Sequence, residues 1–358
     1  MNQERTLRVH KLLDDADLDG FLFLDQANLR YLCGFSGSAG ALLLSRKEAV
    51  FLTDARYTTQ AHQEVHAERI CEYRVQLDGI LEQVNQLGLQ RIGFEADSLG
   101  YAMVERLREK SPPGCHWQPE TERLRSLRWS KDLDELNALE HAATISADAF
   151  EEILPLIRPG VLERDIALEL EFAMRRRGAE EKSFDTIVAS GRRGALPHGV
   201  ASDKAIASGD LVTIDFGARW NGYHSDETVT VAVGPVSAKL RQIFDIVLEA
   251  HDQAMAALRA GVPLRDIDDI ARTYIREHGY GDYFGHSLGH GVGLEVHEHP
   301  AVSAQTEVLA EEGMVVTIEP GIYVPDLGGV RIEDMVYVTA DGHRRITRLP
   351  KEYRLLPA

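Results

Sequence analysis

Hydrophobic positions in the first third of the chain switch between helical and strand spacing. Leu7 to Leu13 carries apolar residues at helical intervals, and Gly20 to Leu24 is a short, fully apolar strand candidate. Ala41–Leu44 and Ala49–Leu52 flank the polar turn Ser45–Glu48, which predicts a hairpin. A helix over Ile80–Leu87 and a strand over Arg91–Phe94 follow, so this part reads as a three-layer α/β unit. Ser111-Pro112-Pro113-Gly114 breaks regular structure before a last strand, and a boundary is expected near Arg128, giving domains 1–127 and 128–358.

From Lys131 a long helix is predicted through Leu136, Leu139, Ala143 and Ile145 towards Ile157, stopped by Pro159-Gly160. Asp165 to Arg177 predicts a second helix, closed by Gly178. Beyond Phe184 strands and turns dominate. Val212, Ile214 and Phe216 alternate with Thr213, Asp215 and Gly217, which sets Asp215 on the face opposite the large apolar residues. Asn221-Gly222 predicts a hairpin that returns Asp226 alongside, the two carboxylates roughly opposite one another in a register left open. Helices over Ala238–Ala260 and Leu264–His278 interrupt the strands. These resume at Val315–Ile318 and Val330–Ile332, joined through Pro325–Gly329.

The chemistry is concentrated in these later strands. Asp215, Asp226, Glu319 and Glu333 sit in or beside apolar runs, and His290 stands in the glycine-rich Gly285–Gly293. One buried carboxylate is costly, and four together demand cations. Two divalent ions would cancel about four negative charges, and metals about 3.5–4 Å apart are a known device for hydrolysis. Oxygen-rich ligands suit harder ions, manganese first, with cobalt or zinc as substitutes.

Composition narrows the picture. The 358 residues favour two domains, and 44% hydrophobic with 27% charged residues is ordinary for a globular enzyme. A net charge of −18 argues against a nucleic-acid partner. No apolar run approaches a membrane span, Met1–Thr6 lacks the layout of a secretion signal, and three scattered cysteines suit a reducing, cytoplasmic setting. Gly285–Gly293 and Gly34–Gly40 lack the lysine and spacing of phosphate loops. His297-Glu298-His299 is not the helical zinc motif. Taken singly, His198, His286 and His297 are ambiguous.

The ordered set Asp215, Asp226, His290, Glu319 and Glu333 resembles the metal site of the pita-bread metallopeptidases. Pro197-His198-Gly199, Gly289–Leu294, His297-Glu298, Glu319-Pro320-Gly321 and Arg331–Asp334 resemble the proline-specific branch of aminopeptidase P and prolidase. Residues 1 to about 127, with Asn28–Leu32 and Thr53–Tyr57, are similar to that branch's N-terminal domain.

The resemblance implies an α+β chain: a C-terminal pita-bread domain behind a smaller, creatinase-like α/β domain. It implies two metal ions held by the five ligands, a water activated between them, and Glu319 as the proton acceptor. His198, His286 and His297 would meet the substrate, supported by Tyr323 and Arg331, in a homodimer. Glu227 and Val229 depart from the family, which often has an apolar residue and an arginine there.

Prolidases of the family commonly bind the dipeptide carboxylate with an arginine between the His-Glu and Glu-Pro-Gly motifs. Residues 298–318 hold neither Arg nor Lys, and Ala301 follows Pro300. The expectation is therefore an Xaa-Pro aminopeptidase, with Xaa-Pro dipeptidase as the alternative. A non-catalytic or metal-free pita-bread protein is the rival of another class.

Overall fold

The computed structural model describes residues 3–358, which fall into two compact units, one running to Arg128 and the other Trp129–Ala358. In the first, six strands run in the order Arg69–Glu72, Ala49–Thr53, Gly40–Ser45, Gly20–Phe23, Arg91–Glu95 and His116–Glu120. The expected hairpin is there, with Ala41 opposite Leu52 and Leu43 opposite Val50. Strand Gly20–Phe23 is buried along its whole length, as its unbroken apolar run requires. At its end the buried Glu95 carboxylate accepts the backbone N–H groups of Leu24 and Asp25 at 2.6 and 2.7 Å, and Asn28 Nδ2 at 2.6 Å. Those bonds replace the water that burial removes.

The second unit opens with helix Leu133–Ile153, fixed at its start by a capping box between Asp132 and Glu135. Helix Glu163–Arg176 packs against it. Both lie over a core that includes Phe150, Ile166, Leu170, Ile214 and Val231. Helices Ala238–Ala257 and Leu264–Glu277 cover a second core, with Phe244, Ile267, Val316, Ile318 and Val336.

Two sheets sit between these cores. One runs Arg354–Leu356, Glu227–Val233, Asp210–Phe216, Ile187–Ser190. The other runs Glu298–Val302, Gly289–Gly291, Val315–Ile318, Asp334–Val338, His343–Arg345. A two-stranded ribbon, Gly321–Val324 with Gly328–Arg331, projects from the second sheet's central pair. A small sheet joins Glu181–Lys182, Ala218–Trp220 and Tyr223–His224. Among the described residues, no helix is long and apolar enough to cross a membrane.

Candidate metal centre

The five candidate ligands arrive from separate strands of the second unit. Asp215 lies inside Asp210–Phe216 and His290 inside Gly289–Gly291. Asp226, Glu319 and Glu333 instead occupy two-residue breaks, where one strand ends and the next begins. Both glutamates thus lie just past the ends of their apolar runs. The chain leaves the five-stranded sheet at Glu319, forms the ribbon, and re-enters that sheet after Glu333. Ladder pairing stops at both crossings.

Asp226 is also not directly across from Asp215, whose partner is Thr228. The cause is Gly217, where a Cβ would come within 1.8 Å of the Ser225 carbonyl. So close an approach admits only glycine. It splits the hairpin between two sheets and leaves Asp226 two positions from Thr228, the residue that pairs with Asp215.

The side chains nevertheless converge. Ligand atoms of Asp226, His290 and Glu333 all lie within 4.8 Å of one another. Glu319 Oε1 is 3.4 Å and Asp226 Oδ2 3.7 Å from His290 Nε2. Asp215 Oδ2 accepts Arg331 at 2.6 Å, while its Oδ1 is buried without a hydrogen-bond partner among the described residues. Thr228 Oγ1 donates to Glu333 Oε2 at 2.6 Å and accepts Arg331 Nε at 3.2 Å.

Electrostatics mark this cluster as short of positive charge. Burial, then Glu333, Asp215 and Glu319, hold the Asp226 pKa well above the usual carboxylate range. Burial and the same kind of repulsion raise Glu333, and Glu319 is pushed up to about 8, chiefly by burial. Burial and the neighbouring His297 lower His290 to about 4, leaving it neutral. Its Nδ1 donates to the Gly291 carbonyl at 3.0 Å, so the Nε2 lone pair faces two carboxylate oxygens. A lone pair aimed at anions, an orphaned carboxylate oxygen and crowded acids are what divalent cations would satisfy. The donor set fits them.

The cluster forms part of the wall of a cavity of about 460 Å³, which His198, His286, His297 and Arg331 also line. Tyr323 stands behind them. Arg331 donates to the Tyr323 hydroxyl at 2.9 Å, Tyr323 to His286 Nε2 at 2.9 Å, and His286 Nδ1 to the Ser287 carbonyl at 2.7 Å. Both nitrogens of His286 are thus engaged within the chain, and burial lowers its pKa to about 4. It therefore presents a neutral ring to the cavity. His198 and His297 are exposed, and the His297 ring lies 4.2 Å from that of His290.

Two supports escaped the sequence reading. Arg272 donates to the carbonyls of Phe284 and His286 at 3.0 and 2.8 Å, and Asp268 accepts the Leu288 N–H at 3.0 Å. Together they pin the loop carrying His286. Their signal was an acid and a base one helical turn apart, which surface pairs also show. Lys351 is the second, a lysine whose side chain is buried although its backbone is partly exposed.

A metallopeptidase family M24 model matches residues 137–340, and a Creatinase/Prolidase N-terminal domain model matches residues 5–129. The chain belongs to metallopeptidase family M24 and has its two-domain pita-bread architecture. Within it, the Xaa-Pro dipeptidase of Pyrococcus furiosus is 41% identical over 98% of this chain and 99% of its own. A solved Xaa-Pro dipeptidase from Bacillus anthracis superposes with a TM-score of 0.96 at 46% identity, covering 99% of both chains. The X-Pro aminopeptidase of Thermotoga maritima gives 0.90 at 38% identity, covering 98% of this chain and 99% of its own.

Proposed function

We propose that this chain is an Xaa-Pro dipeptidase, hydrolysing the bond before proline in dipeptides. The observation carrying the hydrolytic part is the inward-facing set of four carboxylates and a neutral imidazole in the wall of the cavity. The dipeptide preference draws on two relatives named Xaa-Pro dipeptidase, both similar over nearly the whole chain. It revises the expectation of an aminopeptidase, which rested on the lack of Arg and Lys in residues 298–318. A substrate carboxylate need not be met from that stretch, because His198 and His297 also line the cavity.

Asp215, Asp226, His290, Glu319 and Glu333 would hold two divalent ions, manganese by the hardness of the donors. When bound, such ions lower the pKa of water and stabilise negative charge on the scissile carbonyl. Around them each residue has a task. Glu319, its oxygen 3.4 Å from His290 Nε2, accepts the proton of the attacking water. Arg331 holds Asp215 Oδ2 and, through Tyr323, fixes the His286 ring that lines the substrate space. His297 donates to the scissile carbonyl, and His198 approaches the proline side. The same reading carries a cytoplasmic homodimer.

Aminopeptidase action on longer peptides is the second reading. It is favoured by Ala301, which lines the cavity with a side chain that binds no carboxylate. Comparing kcat/KM for a matched Xaa-Pro dipeptide and Xaa-Pro-Xaa tripeptide with added Mn2+ decides. A dipeptide advantage is expected, and a clear tripeptide preference restores the aminopeptidase.

A further inference from the structure

Behind the candidate metal ligands lies a second buried group of charges. Strands Glu227–Val233 and Asp334–Val338 each begin one residue after a cavity-lining acid, and neither Glu227 nor Asp334 lines the cavity. Glu227 follows Asp226 and Asp334 follows Glu333, and both are completely buried. Lys351 stands between them, with Nζ 2.6 Å from Glu227 Oε1 and 3.5 Å from Asp334 Oδ1.

The geometry points to Lys351 as a positioning residue that holds the Asp226 and Glu333 segments together through Glu227 and Asp334. The two segments belong to different sheets, Glu227–Val233 to one and Asp334–Val338 to the other. On the cavity side they are joined by the Glu333 N–H to Thr228 carbonyl bond at 3.2 Å, the Thr228–Glu333 side-chain bond, and the Asp226 N–H to Met335 Sδ contact at 3.0 Å. Two bonds of Arg331 join them as well, its Nε to Thr228 Oγ1 at 3.2 Å and Thr230 Oγ1 to its carbonyl at 2.8 Å. Asp226 and Glu333 repel each other there. A cation bound from behind to the next residue of each segment opposes that separation.

The attachment is firm on both arms. Glu227 Oε1 also accepts the Leu349 N–H at 3.1 Å, which fixes the segment carrying Lys351. Asp334 Oδ1 accepts the Thr347 hydroxyl, and its Oδ2 lies 3.4 Å from His251 Nε2 without a hydrogen bond among the described residues. The Lys351 side chain is 4% exposed, so water does not screen its pairs. The inference rests on the reading of Asp226 and Glu333 as metal ligands. Groups that orient metal ligands typically carry about 10–100-fold in metal affinity.

The test is calorimetric titration of chelator-stripped full-length protein with Mn2+, alongside thermal melting. Lys351→Met is expected to weaken Mn2+ binding about 10–100-fold. Because it strands two buried carboxylates and can fail to fold, Glu227→Gln/Lys351→Met is made beside it. That pair removes one charge of each sign, still lacks the cross-link, and is expected to show the same weakening. Leu52→Ala, a core truncation in the other unit, supplies a destabilised control whose Mn2+ affinity stays at the wild-type value.

If the folded Lys351 variants bind Mn2+ as tightly as wild type, the positioning role is overturned and the lysine only stabilises. Weakening in the control as large as in the Lys351 variants overturns it too. Wild-type protein that binds no Mn2+ removes the metal-ligand reading, and the inference with it.

Discussion

Two neighbouring groups of buried acids in the second unit, one lining the cavity and one behind it, are handled in opposite ways. On the rear face, Glu227 and Asp334 meet Lys351, His251, Thr347 and a backbone N–H. On the cavity face, Asp215, Asp226, Glu319 and Glu333 crowd around a single guanidinium and a neutral imidazole. Burial holds Asp226 and Glu333 well up, whereas Lys351 and His251 bring Asp334 down against burial, so the rear group supplies more of its own counter-charge. A folded chain tolerates uncompensated acids in its interior where something else binds them. The contrast therefore distinguishes a built-in ion pair from a donor set suited to external cations more sharply than the number of acids does.

The largest effect expected is on the cavity face. Asp226→Ala or Glu333→Ala should remove at least one bound ion and cut kcat/KM about 10³-fold or more, because the charge stabilisation lost is worth several kcal/mol. Metal analysis of purified protein with steady-state kinetics checks both. Full activity after exhaustive chelation would erase the contrast. The rear face should answer in stability instead. Lys351→Met leaves Glu227 and Asp334 short of a cation, a loss of about 3–5 kcal/mol by analogy with other broken buried pairs. A denaturant midpoint unchanged from wild type would show that the rear acids are held by their hydrogen bonds alone.

How much of this the sequence disclosed follows from periodicity. Strand Asp210–Phe216 and the hairpin Gly40–Ser45/Ala49–Thr53 were legible because each alternates or buries evenly over several residues. The breaks at Asp226, Glu319 and Glu333 were not, since no local pattern announces that a chain is changing sheets. Gly217 held the clue to register, but its role depends on Ser225 approaching from across the hairpin. Strands Glu298–Val302, His343–Arg345 and Arg354–Leu356 were missed because they are short, polar or proline-containing. Glu227 was noticed as a departure without its partner, as Lys351 lies 124 residues away. The convergence of the four acids and one imidazole was expected from their types and order, with family resemblance supplying the grouping.

A smaller effect separates holding a metal from touching the substrate. His297 is exposed to the cavity and stacks beside His290, yet it is outside the tight ligand group. His297→Ala should keep the wild-type Mn2+ stoichiometry while kcat/KM falls about 10²-fold, the usual size of a lost transition-state contact. Loss of metal in this variant would extend the uncompensated face to include His297 as a ligand.

The smallest effect is on the pH dependence of stability, where the uncompensated face has a sign of its own. In chelated protein Glu319 keeps its proton up to about 8, against an ordinary value of 4.5, and Asp226 and Glu333 shift the same way. The folded state then binds more protons than the unfolded one. Stability from these groups is fully present below the unfolded value and is lost as pH rises towards the folded one. His224, His286 and His290, lowered to about 4, act oppositely, gaining stability as pH rises to their unfolded value of 6.5. Above that value these three histidines are finished, and His251, raised by Asp252 and Asp334 against the effect of burial, loses stability in the same direction as the carboxylates. Chelated protein should therefore lose several degrees of Tm between about pH 6.5 and about pH 8. Glu319→Gln should flatten that fall. Mn2+-loaded protein should not show it, because metal binding requires the deprotonated ligands that rising pH provides. A chelated Tm that climbs across this window would mean the cavity-face acids are already ionised and compensated within the chain, and the two faces would then be alike.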